Sequence, residues 1–453
     1  MMSVACWGIT SRATMRATGS AICLGVIALV VGACTVPGQP PRGGRPTTTT
    51  TVPTTATTET PSTTSTVPTT ATTEAPSTST TAPPSTTTVP APPDGAITRV
   101  TDGDTSAFYP AVSGDGRYVA YYSRASSLVP DDTNGVGDIF VWDRETDTTI
   151  RITDGDDWSR MPDISADGRY VTFDSRASNL VPGDTNGFYD VFVWDRNTGA
   201  TTRITDGNDD SEVPVISADG KTIAFTSRAS NLAPEDANYF ERDVFVWDAA
   251  AGTTTRITDS ASYLQEDSFA GDISTDGRYV TFTSHSSILV PNDTNEREDV
   301  FLWNSITGTI TRVSEDQAQN PSVSADGRFV VYDAQWGGTQ VFLWDATTGQ
   351  TTHITESFEG GSNQGEISAD GRYITLQSWA PNLVPDDRNG VGDIFVWDRV
   401  TETMTRITDG DGDSGNPAIS ADGRSIAFDS DAGDLVTDDS NAVGDIFLWD
   451  SAG

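Results

Sequence analysis

Ile164–Phe173 reads ISADGRYVTF, and a short way downstream Asp190–Asp195 reads DVFVWD. The first phrase recurs as VSGDGRYV from Val112, ISADGKTI from Ile216, ISTDGRYV from Ile273, VSADGRFV from Val323, ISADGRYI from Ile367 and ISADGRSI from Ile419. Its serines, Ser113, Ser165, Ser217, Ser274, Ser324, Ser368 and Ser420, are spaced 44 to 57 residues apart. The second phrase keeps the same period, starting at Asp138, Asp190, Asp243, Asp299, Gln340, Asp393 and Asp445. A third, TRIT-like phrase opens at Ile97, returns at Ile150, and recurs near Thr202, Thr255, Thr311, Thr352 and Thr405. A period of this size marks an array of supersecondary units that bury their faces against one another.

Each unit reads as four short strands. In the first copy, strand A precedes the Asp-Gly turn, strand B is Tyr118–Ser123, strand C is Asp138–Asp143 and strand D is the TRIT run. β-Branched and aromatic residues dominate these runs, as a pleated surface favours. Asp-Gly between A and B signals a hairpin, because glycine accepts the positive φ of a tight turn. Strand C is apolar at four consecutive positions, Ile139 to Trp142, which fits a strand covered on both faces. The repeat region opens with a D strand at Ile97 and stops after a C strand at Asp450. The N-terminal D strand can therefore complete the last unit and leave no open edge. The expected fold is all-β: a seven-bladed β-propeller of four-stranded antiparallel blades over residues 95–453, closed by its N-terminal strand.

The S-x-D-G-[KR] turn followed by a D-[IV]-[FY] strand resembles the TolB-type, WD-like (PD40-type) propeller repeat in all seven units. That resemblance implies the propeller fold. For function it implies less, since the family includes binding modules, lids on peptidases and exported proteins.

The chain before residue 95 reads as address and tether. Arg12 and Arg16 precede an apolar run, Ala21–Val31, too short to span a membrane as a helix and suited to a signal peptide. The run ends in Val31-Gly32-Ala33-Cys34, which resembles a bacterial lipobox. Residues 1–33 are expected to leave, and Cys34 to carry lipid and hold the protein on the outer face of the cell membrane. Cys6 and Cys23 leave with the signal, so Cys34 would be the one cysteine remaining and no disulfide forms. Residues 34–94 are rich in Thr and Pro, with too few apolar side chains for a core. This disordered linker, extended as polyproline II, would reach at most ~190 Å. Its threonines are candidate glycan acceptors.

The net charge is −38, with 65 acidic residues against 27 basic. Of the acids only Glu59, Glu74 and Asp94 precede Ile97, so the propeller holds nearly all of them. Such a surface repels nucleic acid and anionic lipid. It suits cations, a basic partner or simple solubility. Antiparallel strands put the A–B and C–D turns on one face and the longer B–C and D–A loops on the other. That loop face gathers acidic segments and aromatics outside the core pattern: Tyr109, Trp158, Phe188, Tyr239, Tyr263, Trp336 and Trp379. Aromatics beside carboxylates suit a protein or cell-wall glycan ligand, or they pack down over neighbouring blades. The reading is a monomeric, non-catalytic binding module of the cell surface; the alternatives are an enzyme acting on extracellular polysaccharide and a structural protein.

Two patterns supply candidate site residues. The B–C loops end in D-x-N segments: Asp132, Asn134 and Asp138; Asp184, Asn186 and Asp190; Asp236, Asn238 and Asp243; Asp293, Asn295 and Asp299; Asp387, Asn389 and Asp393; Asp439, Asn441 and Asp445. Oxygens at this spacing suit Ca²⁺, although the bidentate Glu of an EF-hand is missing. The other reading is an Asx-turn network in which Asp and Asn cap loop amides. At the exit of strand B the residue varies by blade: Arg124, Arg176, Arg228, His285, Gln335, Trp379 and Asp431. The arginines could hold an anionic group or pair with loop aspartates. Support for catalysis is thin. His285 and His353 are the only histidines and lie on different blades.

Overall fold

The computed structural model describes residues 95–451 except 235–240, 259–265, 292, 296 and 358. The signal, the linker and Cys34 lie outside the described residues, as do Asp236, Asn238, Tyr239 and Tyr263. Seven four-stranded antiparallel sheets follow one another in chain order, and no helix occurs among the described residues. Blade one comprises A Ala107–Val112, B Tyr118–Ser123, C Asp138–Asp143 and D Thr148–Arg151. Blade seven comprises A Ser414–Ile419, B Ser425–Ser430 and C Asp445–Asp450, and takes Ala96–Arg99 as its D strand. Closure keeps the register of the other blades: Arg99 lies opposite Phe447 as Arg151 lies opposite Phe140.

The S-x-D-G phrase is a hydrogen-bonded unit. In blade one the Ser113 hydroxyl donates to Asp115 and accepts from the Tyr118 amide, and Asp115 also accepts from the Arg117 amide. Gly116 sits at φ 70°, and a Cβ there would lie 2.2 Å from Ser425 of blade seven. The turn therefore needs glycine twice, for its dihedral and for the close approach of the next blade. On the same face the inner ends of several blades are stitched together. The Gly114 amide donates to the Ala166 carbonyl, Ala166 to Ala218, Ala325 to Ala369, Ala369 to Ala421, and Ala421 back to Gly114.

Seven apolar clusters hold the ring together, each at the junction of two consecutive blades. At the junction of blades seven and one, Leu448 and Ile446 meet Tyr121, Phe140 and Trp142. Phe140 stacks on Tyr121, with centroids 5.7 Å apart. Leu128 and Val129 of the B–C loop pack against this cluster. The same Leu–Val or Leu–Ala pair serves blades two, three, four, six and seven. Consecutive apolar residues in strand C follow from this geometry, since each blade buries both faces.

One feature departs from the sequence reading. Strand A carries a bulge at the residues around its proline, as at Tyr109-Pro110, which no phrase of the repeat announces. The bulged residue has positive φ without being glycine at Tyr109, Met161, Val213, Asn320, Gln364 and Asn416. An L side chain held there is strained, so the surrounding hydrogen bonds must fix it. They come from the preceding blade: Asp174 accepts from the Val213 amide and Asp333 from the Gln364 amide.

Candidate functional site

The D-x-N loops converge on a guanidinium supplied by the chain. In blade one, Arg151 of strand D lies 3.0 Å from Asp132 and 3.4 Å from Asp138, with Asp154 at 2.9 Å on its outer side. Thr153 donates to the buried Asp138 at 2.6 Å. The Asn134 amide nitrogen donates to Asp138 and to the Gly155 carbonyl, while its oxygen accepts from the Val136 amide. Arg203 stands between Asp184 and Asp190, Arg312 beside Asp293 and Asp299, Arg406 beside Asp387 and Asp393, and Arg99 beside Asp439 and Asp445. In blade three Arg256 meets Asp243 at 3.3 Å. Asn186, Asn389 and Asn441 repeat the donation of Asn134; Asn295 donates instead to the Glu315 carbonyl. Burial raises the carboxyls of Asp138, Asp190, Asp299 and Asp445, and raises Asp393 to about 6, while the neighbouring hydroxyl and guanidinium oppose that rise.

These residues do not fit Ca²⁺ well. The asparagine presents an N–H to the shared carboxylate where a metal would need an oxygen, and an arginine occupies the cationic place. Among the described residues no group of three His, Cys, Asp or Glu side chains is gathered to hold a metal. Blade five supports the paired reading. There Gln340 replaces the aspartate and His353 the arginine together, and Thr355 donates to Gln340 as Thr153 does to Asp138. Acid and base are thus absent from the same blade, as a pair would be. Millimolar Ca²⁺ should accordingly shift the melting temperature no more than NaCl at equal ionic strength. A clear excess shift with Ca²⁺ would restore the metal reading.

The strand-B exits all open on the loop face, but they do not form one anion site. The Arg124 guanidinium lies 5.2 Å from the ring of Trp158, which is 41% exposed. Arg176 donates to the Gly187 carbonyl and lies over Tyr189. Trp379 donates to Asp413. Arg228 is half-buried; His285, Gln335 and Asp431 are exposed. Trp336 is 46% exposed and stands edge-on to His353, with centroids 4.7 Å apart. Tyr109 and Phe188 are half-buried. The aromatics thus divide. Trp158 and Trp336 are largely exposed, whereas Trp379 is partly buried and hydrogen-bonded to Asp413.

The sequence reading missed the axis of the ring. Strands A of all seven blades line a central cavity of about 240 Å³. One side is apolar, with Tyr109, Met161 and Val213; the other carries Asn320, Gln364 and Asn416. Gln364 and Asn416 exchange two hydrogen bonds, at 2.8 and 3.0 Å. Behind this tier lie three carboxylates, Asp174 and Asp333 fully buried and Asp429 partly so. Asp174 is bound by Arg160, which also reaches Glu212. Asp333 and Asp429 receive the side-chain amides of Asn320 and Asn416. Burial raises Asp333 and Asp429 to about 7, and Asp174, despite Arg160, to about 6. A legible signal existed: an Asp inside an otherwise apolar B strand, as in VTFDS and IAFDS.

No family model matches this sequence, and no curated protein does. Solved structures match at the level of fold. An oligogalacturonate lyase from Vibrio parahaemolyticus is 14% identical, with a TM-score of 0.55, over 78% of this chain and 93% of that one. The β-propeller domain of the Trilobed protease from Pyrococcus furiosus is 13% identical, with a TM-score of 0.52, over 78% of this chain and 95% of that one. TolB from Acinetobacter baumannii is 16% identical, with a TM-score of 0.42, over 70% and 67%. At such identities the likeness speaks for the propeller alone.

Proposed function

We propose that this β-propeller is an extracytoplasmic binding module, held to the cell membrane through lipid on Cys34. A Thr/Pro tether displays it, and it takes a protein or glycan ligand on its loop face. The observation that carries the reading is the exposed Trp158 indole backed by Arg124 on that face. A large amphipathic ring held by a cation at the ends of two rigid strands is the kind of anchor that recognition sites use. The D-x-N aspartates, which recur from blade to blade, pair with the arginine of strand D and so serve the scaffold.

One preparation tests both halves. Cys34→Ser protein should be shed into the medium; retention in the membrane fraction would remove the anchor. The shed full-length protein, applied to glycan, peptidoglycan and surface-protein arrays, should be retained by one class. Trp158→Ala should weaken that retention by about tenfold. Cleavage of an arrayed polysaccharide would replace binding with an enzymatic role, and retention on nothing would leave a structural protein.

A further inference from the structure

Blade five lacks the loop that its six counterparts use to cover their junctions. Its B–C connection is Trp336–Gly338, where blade one spends Arg124–Gly137. With the loop go the Leu–Val pair and the Pro after it, as in Leu128-Val129-Pro130. The junction of blades four and five is the one apolar cluster that no such pair covers among the described residues. Its floor shows the loss. Phe342 and Tyr332 are 6% and 5% exposed, whereas Phe140 and Tyr121 at the covered junction are 0% exposed. A cleft of about 630 Å³ remains there, bounded by Arg312 and Asp316 of blade four and by Trp336 and His353 of blade five. Its volume lies within the ~300–1,000 Å³ common to ligand sites. Trp336 stands edge-on to His353, which in turn stands edge-on to Phe342.

We propose that this cleft receives a short extended segment of a partner protein, two adjacent aliphatic residues followed by proline. Such a segment would supply in trans what Leu-Val-Pro supplies in cis in blades one, two, four and six. Five blades, one, two, four, six and seven, bury a Leu–Val pair at the equivalent place, and blade three a Leu–Ala pair, so the shape and chemistry of the occupant are written in the chain itself. The gain is apolar: two aliphatic side chains leave water and cover Phe342 and Tyr332. A preformed cleft keeps the ordering cost on the ligand side. The proposal rests on the reading of the chain as a binding module, and it assigns the cleft to a protein ligand.

The probe is the chain's own blade-two segment Ala177–Gly183, ASNLVPG, which carries no charged side chain. Labelled and titrated with full-length Cys34→Ser protein, it should show saturable anisotropy. A peptide with serine at both aliphatic positions should bind about tenfold more weakly or not at all. Grafting the blade-six loop, residues 379–392, in place of 335–339 should abolish peptide binding and raise the melting temperature. Absence of saturable binding, indifference to the two serines, or an unchanged affinity in a folded graft would each overturn the proposal. So would an oligosaccharide, rather than the peptide, whose binding the graft removes. Array retention through Trp158 is read separately, so a failed peptide titration alongside intact retention rejects the cleft and leaves the binding module standing.

Discussion

Removing the chain through Asp102 should lower stability by about 5 kcal/mol or more, a fall in melting temperature on the order of 10 °C. Removing it only through Asp94 should leave the melt unchanged. The longer deletion takes Ala96–Arg99 from its pairing with Asp445–Asp450 and the Val100 amide from the Ile446 carbonyl. It also takes the Val100 side chain from the blade seven/one cluster. Worse, it strips Asp445 of Arg99 at 2.9 Å and of the Thr101 hydroxyl at 2.6 Å. Asp445 is fully buried, and a buried charge left without its partner typically costs ~3–5 kcal/mol. Differential scanning calorimetry on the two truncations decides the matter; coincident melts would mean that the ring does not depend on its closing strand.

Stability should fall as pH rises from 5 to 8, by an amount on the order of a few kcal/mol. Asp333 is fully buried and Asp429 partly buried, and among the described residues no salt bridge reaches either. Burial raises both to about 7, whereas an unfolded Asp titrates near ~4. Between those values the native state holds protons that the unfolded chain has released. Its stability is therefore full below pH ~4 and is lost as pH climbs through 7. Asp174 and Asp393, each raised to about 6, push in the same direction. Asp345 opposes them at the acid end, because the Arg328 hydrogen bonds hold it at about 2. The general repulsion of a chain with net charge −38 also grows with pH. Asparagine at 333 and 429 separates the two effects. Each keeps an acceptor for the amides that Asp333 and Asp429 now receive, so the double variant should lose most of the slope. Urea midpoints at fixed ionic strength measure it. A wild-type profile that is flat or rising from pH 5 to 8 would contradict the assignment.

The blades were legible because the same strand and turn chemistry is spelled out seven times, so a weak local signal became a strong periodic one. Closure was legible from phase alone, a D strand at one end and a missing D strand at the other. The D-x-N loops were visible as a motif, but their cation was not. Arg151 lies outside the loop in sequence, on strand D, and meets Asp132 and Asp138 only because strands C and D pair. The bulges were invisible for a different reason. Nothing in the propensities of Met161 or Val213 announces a positive φ, and the hydrogen bonds that hold Val213 there come from another blade. The central amide tier is equally non-local, assembled by side chains from blades five, six and seven.

The closing strand also has a mechanical meaning. The chain enters the fold at Ala96, directly into the outermost strand of blade seven. Any pull carried along residues 34–94 therefore arrives first at the seam where the ring is joined, not at a loop or a peripheral helix. There the strand's hydrogen bonds to Asp445–Asp450 take the load together with the contacts of Arg99 and Thr101 to Asp445. Under strain the first part to part is blade seven, while the other six still hold their own four strands.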